Sequence, residues 1–466
     1  MIRNNLSIFN SKFVIIFRRA MSVFIIVCLF YGIVNVLNYM YFQEEDWQHI
    51  LWHSFYSQED NIDNIFIGSS HVYCGVNPFL LDEINGMNNF NLSSGSLTLS
   101  ASYAMLKEAD RLNDLSNVYL ELYYAPNTGI NGDANTLSTI TNNWRTTNYL
   151  KPSFNKYSFI FSMSGSEHYL ESLFPFVRYR FNLFDVSHIQ SVITRKESED
   201  WNNYKYFVSN STGDIEYLEK GFCSSTISMV RKPEGYLYAS QFDLSSESLV
   251  SDKNCDYLKK IIKYCDNHDI KLQFFVAPIY ETQILSTQNY DAYYKQISEI
   301  ANSYNIPFYD FNLCKAEYLD IMHPELFSDN GHLNTAGANI FTSFLWEVLS
   351  NSYENNKQYF CDSYNEKISL DSPQVYGVYY VKDTDGEKYY IASNTENELE
   401  YKIAVVSAES ENKTSDLSDA EEFVVQDFSL NKMFLLPNGV EHGTIVIVTR
   451  NISNSAEKLQ TFEIPY

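Results

Sequence analysis

The sequence contains no C-x-x-C pair, so it lacks the spacing from which a cysteine zinc site is built. Cys28 lies in an apolar run. Cys74, Cys223, Cys255, Cys265, Cys314 and Cys361 are an even set that permits disulfides without requiring any. Cys255 and Cys265 share one predicted helix and stand ~15 Å apart by helical rise, too far to bridge each other. Basic residues are scarce as well. The chain has 33 Lys and Arg against 58 Asp and Glu, a formal charge of −25, and that field repels nucleic acid and excludes it as a partner. His71, His323 and Asp329 show no recognisable metal-ligand spacing, so neither a metal nor a cofactor is expected. No internal repeat is visible.

Charge is missing altogether from Ala20 to Phe42, whose 23 positions at ~1.5 Å rise make a helix long enough to cross a bilayer. The alternative is a buried core helix. Arg3, Lys12, Arg18 and Arg19 precede the run, and Glu44, Glu45 and Asp46 follow it. The positive-inside rule then predicts a cytoplasmic segment 1–19, a single span 20–42 and an extracytoplasmic remainder. No small-x-small cleavage site follows the run, so an uncleaved anchor in the cell membrane is expected.

What the chain does have is apolar and aromatic material, 45% and 16% of its 466 residues, enough for more than one packed interior. From Asp63 to Tyr124 and again from Ser251 to Leu349, short apolar strands alternate with helical patterns, which is the rhythm of a parallel α/β sheet. Helices are predicted over Pro78–Ile84, Leu99–Leu112, Ser251–Asn267, Tyr290–Tyr304 and Thr335–Leu349. The fold class expected for 43–355 is α/β, a flavodoxin-like three-layer sandwich. Residues 125–249 break the rhythm and are expected to form a largely helical insertion capping it. Residues 365–466 carry short β-branched and aromatic runs separated by Asp, Asn, Gly and Ser, which predicts an all-β sandwich module.

The chemistry starts where the strand ending at Ile67 stops at Gly68 and is followed by Ser69, Ser70 and His71. A strand-end serine becomes a nucleophile when a base held by a carboxylate takes its proton. Among nine histidines, His332 stands in "FSDNGHLNTAG", three residues after Asp329 and just before a helix. That offset lets the carboxylate reach the near ring nitrogen while the far one points outward. The bland alternative is a polar loop with Asn334 or Thr335 capping the helix. His71 adjoins Ser70 but points the other way along an extended chain, so it packs or lines the acceptor side. Arg178 and Arg180 in "FPFVRYRFNLFD" either clamp an anionic substrate or serve as cation–π and ion-pair partners.

"GSS" after the first strand and "D-x-x-H-L-N" before the last helix resemble the first and last motif blocks of the SGNH/GDSL hydrolase superfamily, in its membrane-anchored bacterial form. The resemblance spans about residues 60–350. It implies an SGNH-like fold with Ser70 as nucleophile, His332 as base and Asp329 as its orienter. For the oxyanion it implies the N–H groups of Ser70 and of Gly95 in "FNLSSGSL". The family's third donor, an Asn in Gly-x-Asn-Asp, is replaced here by "LELYYAPNTG", where Asn127, Tyr123 or Tyr124 are the available substitutes. The implied activity is a serine esterase or O-acyltransferase working on ester groups of a cell-envelope polysaccharide. A membrane-embedded acyltransferase would be a possible partner, and teichoic-acid D-alanylation proteins share the anchor and the Gly-Ser-Ser start. The competing expectation is a non-catalytic glycan-binding or scaffold protein that keeps the fold.

Overall fold

The computed structural model describes residues 2–124, 136–231, 237–239, 250–383, 386–407, 421–437, 440 and 443–464. Five strands make its central sheet: Asn64–Ile67, Asn89–Asn91, Asn117–Glu121, Lys271–Val276 and Phe308–Asp310. Counted along the chain, they lie across the sheet in the order 2-1-3-4-5, and every pairing is parallel. This is a doubly wound order, in which the winding reverses between the first and third strands. Ligands of such sheets bind at that reversal, outside the carboxyl ends of the strands.

Alternation along the strands divides the interior into two cores. Ile65, Ile67, Phe90, Val118, Leu120, Phe274 and Val276 face one side, where Leu99–Leu112, Asp252–Asn267 and Tyr290–Ser303 pack. Phe66, Tyr119, Phe275 and Tyr309 face the other, against Thr335–Ser350. Parallel strands covered on both faces read as unbroken apolar runs, which is why these segments show little polar alternation. The helices begin where side-chain oxygens take up free backbone N–H groups. Thr98 accepts from Ala101 N, Ser251 from Asn254 N and Asn334 from Gly337 N.

Three features add to the sequence-based expectations. The N-terminal helix runs without a break from Ile2 to Tyr41, through the expected division between 1–19 and 20–42. Nothing in that stretch breaks a helix, and within it Phe13–Tyr41 is long and apolar enough to span a membrane, with its apolar side chains exposed. The insertion is largely helical among its described residues but also carries a sheet. After helices such as Leu137–Thr147, Phe154–Met163 and Val186–Glu197, it forms an antiparallel sheet of Tyr206–Asn210, Gly213–Leu218 and Phe222–Ser225. Its hairpin turns at Asn210–Gly213, where Gly213 has φ +141 and a Cβ would press on the Ile227 backbone. Finally, strand Leu237–Ala239 leaves the insertion and pairs in parallel with Val378–Tyr380 of the C-terminal module.

That module contains two sheets, one of 237–239, 375–383, 386–393 and 433–434, the other of 399–407, 421–429, 443–451 and 457–464. Val378 and Ile391 from the first share a core with Tyr401, Ile403, Ile445 and Ile447 from the second. The helix Tyr364–Ser369 leads into it, and there the Lys367 Nζ donates to Glu281 Oε1 at 2.6 Å in a buried ion pair. Burial pushes the Glu281 carboxyl up, and the Lys367 charge opposes that shift. Lys367→Met strands this carboxylate, and chemical denaturation is expected to record a loss of about 3–5 kcal/mol. Replacing both residues with apolar ones of similar volume is expected to recover most of the loss.

Candidate active site

Gly68 ends the first strand against the third. A Cβ at this position would press into Val72 Cγ2 and lie 2.5 Å from Glu121 Oε2, so only glycine lets the two strand ends approach. The chain then turns directly into the helix Ser70–Gly75, with Ser69 as its N-cap accepting from His71 N. The two adjacent serines divide their work. Ser69 points inward, its N–H and hydroxyl both donating to Glu121 Oε2, at 2.6 and 2.7 Å. Ser70 takes the first helical position and faces outward from the sheet end.

The partner of Ser70 arrives from far along the sequence. Ser328 N donates to the His332 carbonyl at 2.8 Å and Phe327 bridges Leu333, closing a tight loop just before the Asn334-capped helix. Inside it Asp329 Oδ1 accepts from Gly331 N at 2.8 Å and from His332 N at 2.9 Å. His332 Nδ1 lies 2.9 and 3.0 Å from the two Asp329 oxygens, and its Nε2 lies 2.7 Å from Ser70 Oγ. The array therefore runs carboxylate, imidazole, hydroxyl at hydrogen-bond range, beside the reversal of strand order. Both readings of the loop hold at once: it is a polar turn with Asn334 as the helix cap, and it presents Asp329 to His332.

The electrostatics follow from these contacts. Packing around Asp329 opposes its ionisation, but the charge and hydrogen bonding of His332 and the two backbone N–H groups outweigh it, holding the carboxyl well below its usual range. Burial works against protonation of His332, yet the charge and hydrogen bond of Asp329 prevail, and the imidazole is raised above its ordinary value. A neutral His332 with its proton fixed on Nδ1 presents Nε2 as an acceptor for the Ser70 hydroxyl. Such an arrangement can activate a hydroxyl for acyl transfer.

His71 is buried with Nδ1 3.3 Å from Glu121 Oε1, and its ring lies edge-on to Tyr123 at 4.1 Å and tilted to His332 at 5.1 Å. It packs beneath the site. Gln283 completes that floor by donating to the Tyr123 hydroxyl at 2.8 Å. Gly95 sits in the turn after the second strand, where Ser94 N donates to the Gly68 carbonyl at 3.1 Å. Among the described residues no acceptor takes the N–H of Ser70 or of Gly95. Arg145 reaches over this turn, Nη1 donating to the Gly95 carbonyl at 2.9 Å and Nε to Glu45 at 3.0 Å.

Glu121 and Tyr73 were not singled out by sequence reasoning. Tyr73 stands three residues after Ser70 on the same helix, and its hydroxyl is 3.7 Å from where a Gly95 Cβ would lie. Burial, with Cys74 and Cys223 adding, pushes this phenol far above its usual range, so it stays a neutral donor. The helical i, i+3 spacing was its signal. Asn127 lies outside the described residues. The structure does not bring Arg178 and Arg180 to Ser70. Arg178 donates to the Glu171 carbonyl and Asn148 and lies 4.1 Å over the Trp144 ring, lining a cleft of about 330 Å³ with Phe42, Glu45 and Arg145. Burial lowers its pKa to about 9. Arg180 pairs with Glu171 at 3.1 Å. His323 pairs with Asp320, and among the described residues no cluster of His, Cys, Asp and Glu could hold a metal.

No family model matches the chain, and no curated protein matches it. Among solved structures it is similar to a crystal structure titled only as an engineered protein from a structural genomics consortium. That match has a TM-score of 0.15 and 8% identity over 91% of this chain and 98% of the other, and it carries no argument. What the chain itself defines is a doubly wound α/β unit with a serine, histidine and aspartate array at its winding reversal, an apolar N-terminal helix and a C-terminal β module.

Proposed function

We propose that this is a membrane-tethered, extracytoplasmic serine esterase or O-acyltransferase of SGNH type, acting on ester groups of a cell-envelope polysaccharide. One observation carries the reading: Ser70 Oγ, His332 and Asp329 stand in sequence at 2.7 and 2.9 Å, where a doubly wound sheet places its ligands. The apolar helix Phe13–Tyr41 supports the tether, and the residues on either side of it support the orientation through the positive-inside rule.

The chemistry follows from the same atoms. Ser70 Oγ attacks the ester carbonyl as its proton passes to His332 Nε2, and Asp329 stabilises the imidazolium. The oxyanion faces the open N–H groups of Ser70 and Gly95, with the Tyr73 hydroxyl as a third donor in place of the family's missing Asn. Collapse expels the alcohol, which takes the proton from His332 and leaves acyl-Ser70. Water or a sugar hydroxyl then gives its proton to His332 and attacks the acyl group, and His332 returns that proton to the departing Ser70 Oγ. Hydrolysis and transfer differ only in that acceptor. The departure at "LELYYAPNTG" favours the second reading, a glycan-binding scaffold that has kept the fold.

Treating the full-length protein in detergent with an alkyl fluorophosphonate separates the two readings. Loss of fluoride and a single phosphonyl adduct on the Ser70 peptide are expected of the enzyme. A folded protein that takes up no label is the scaffold. Glu121 tests the support beneath the nucleophile. Because Ser69 and His71 both rest on it, Glu121→Ala is expected to slow phosphonylation of Ser70 about 10²-fold, by displacing the helix start. Comparing its labelling rate with its unfolding curve distinguishes mispositioning from global loss of fold.

A further inference from the structure

The N-terminal helix does not stand clear of the folded chain. Phe30, well inside its apolar stretch, meets Phe174 of the insertion edge-on at 5.8 Å. Nearer its end, Asn38 accepts from Phe176 N at 3.0 Å, and the Tyr41 hydroxyl donates to the Leu183 carbonyl at 2.9 Å. The insertion thus runs alongside the helix. At ~1.5 Å rise per residue, Phe30 lies about 16 Å before Tyr41, roughly the depth of one leaflet's hydrocarbon in a core of ~30 Å.

The same part of the insertion is unusually apolar on its outside. Phe181 is 88% and Phe184 96% exposed, and Phe161, Leu170 and Val186 are exposed with them. So many exposed large apolar side chains in one segment need a covering partner. The packing of this segment on the apolar stretch of the helix, at Phe174 and Phe30, says which one. Whatever surrounds Phe30 must also surround Phe174 beside it. Several nearby charges are already tied up: Arg180 and His168 face Glu171, and Asp185 caps the helix Val186–Glu197. The half-exposed Arg180 can extend its head toward water while its stem covers apolar surface.

We propose that the exposed side chains of Phe161, Leu170, Phe181, Phe184 and Val186 are immersed in the acyl chains of the leaflet nearest the folded domains. The inference rests on the reading of Phe13–Tyr41 as a membrane span. The protein then grips the bilayer twice, by a crossing helix and by an interfacial wedge packed against it. Two grips fix its tilt and rotation, which a single helix leaves free.

The test is photolabelling of the full-length protein in nanodiscs of phosphatidylglycerol and phosphatidylethanolamine containing a phospholipid with an acyl-chain diazirine. Adducts are expected on peptides covering 20–41 and on peptides covering 161–186. Adducts confined to 20–41 overturn the wedge and leave the anchor standing. Adducts on neither overturn the membrane reading itself. Phe181→Glu with Phe184→Glu, at exposed sites where folding is retained, is expected to lose the 161–186 adducts and keep those at 20–41; unchanged labelling of 161–186 counts against the proposal. In native membranes, cross-links from 161–186 to another polypeptide in place of lipid adducts would assign this face to a protein partner and reject the lipid assignment.

Discussion

Ser70→Ala is expected to abolish fluorophosphonate uptake and to lower ester turnover by a factor on the order of 10⁴ to 10⁶. The size follows from the role. Without Oγ there is no acyl-enzyme, and what remains is binding plus whatever the donors of Ser70 N, Gly95 N and Tyr73 contribute to direct attack by water. The substitution removes one oxygen from a partly exposed helix start, so the thermal midpoint should scarcely move. Hydrolysis of a chromogenic acetate ester by full-length protein in detergent measures the first effect, and mass analysis of acyl groups on envelope polymers from cells carrying each form measures its cellular counterpart. Turnover within tenfold of the unsubstituted protein would remove Ser70 from the reaction.

The second large effect is on pH dependence. His332 acts as a base only when neutral, and Asp329 holds its proton on, so kcat/KM should rise with pH through an apparent pKa above histidine's ordinary 6.5. In Asp329→Asn the carboxylate charge is gone and the amide favours the wrong tautomer. The rising limb should move to lower pH, while the plateau falls by about 10⁴. Stability carries the same signature. The raised His332 contributes stabilisation that is full below 6.5 and is lost as pH rises through its folded value; the depressed Asp329 contributes above 3.8 and loses it as pH falls through its own. The pair therefore supports the fold most between about pH 4 and 6.5, and in Asp329→Asn that part of the melting-temperature profile should flatten.

How much of this was readable in the sequence depended on how locally it was encoded. Ser70, Asp329 and His332 sit in short segments where a strand stops or a helix starts, and such breaks stand out in one dimension. The five sheet strands were legible as short apolar runs, and the helices Leu99–Leu112, Asp252–Asn267 and Tyr290–Ser303 by their helical periodicity. Glu121 was not. At the end of "NVYLE" it looks like a polar residue leaving a strand, and only the pairing of Ile67 with Leu120 brings it under Gly68 and Ser69. The three-stranded sheet of the insertion had a turn signal in "NSTG", masked by the surrounding aromatics. Strand Leu237–Ala239 pairs with a segment that begins at Val378, and no local pattern announces a partner so distant.

One side chain couples the N-terminal helix to the Ser70 site. Arg145 holds the carboxylate of Glu45, just past the helix end at Tyr41, and with the same guanidinium holds the turn at Gly95. If that helix is a membrane span, the reaction centre is a fixed station at a set height above the lipid, with no leash to let it roam. On the proposed function, a long glycan would then be modified where it emerges from the bilayer, one segment at a time as it passes, and its distal reaches would lie out of range of Ser70.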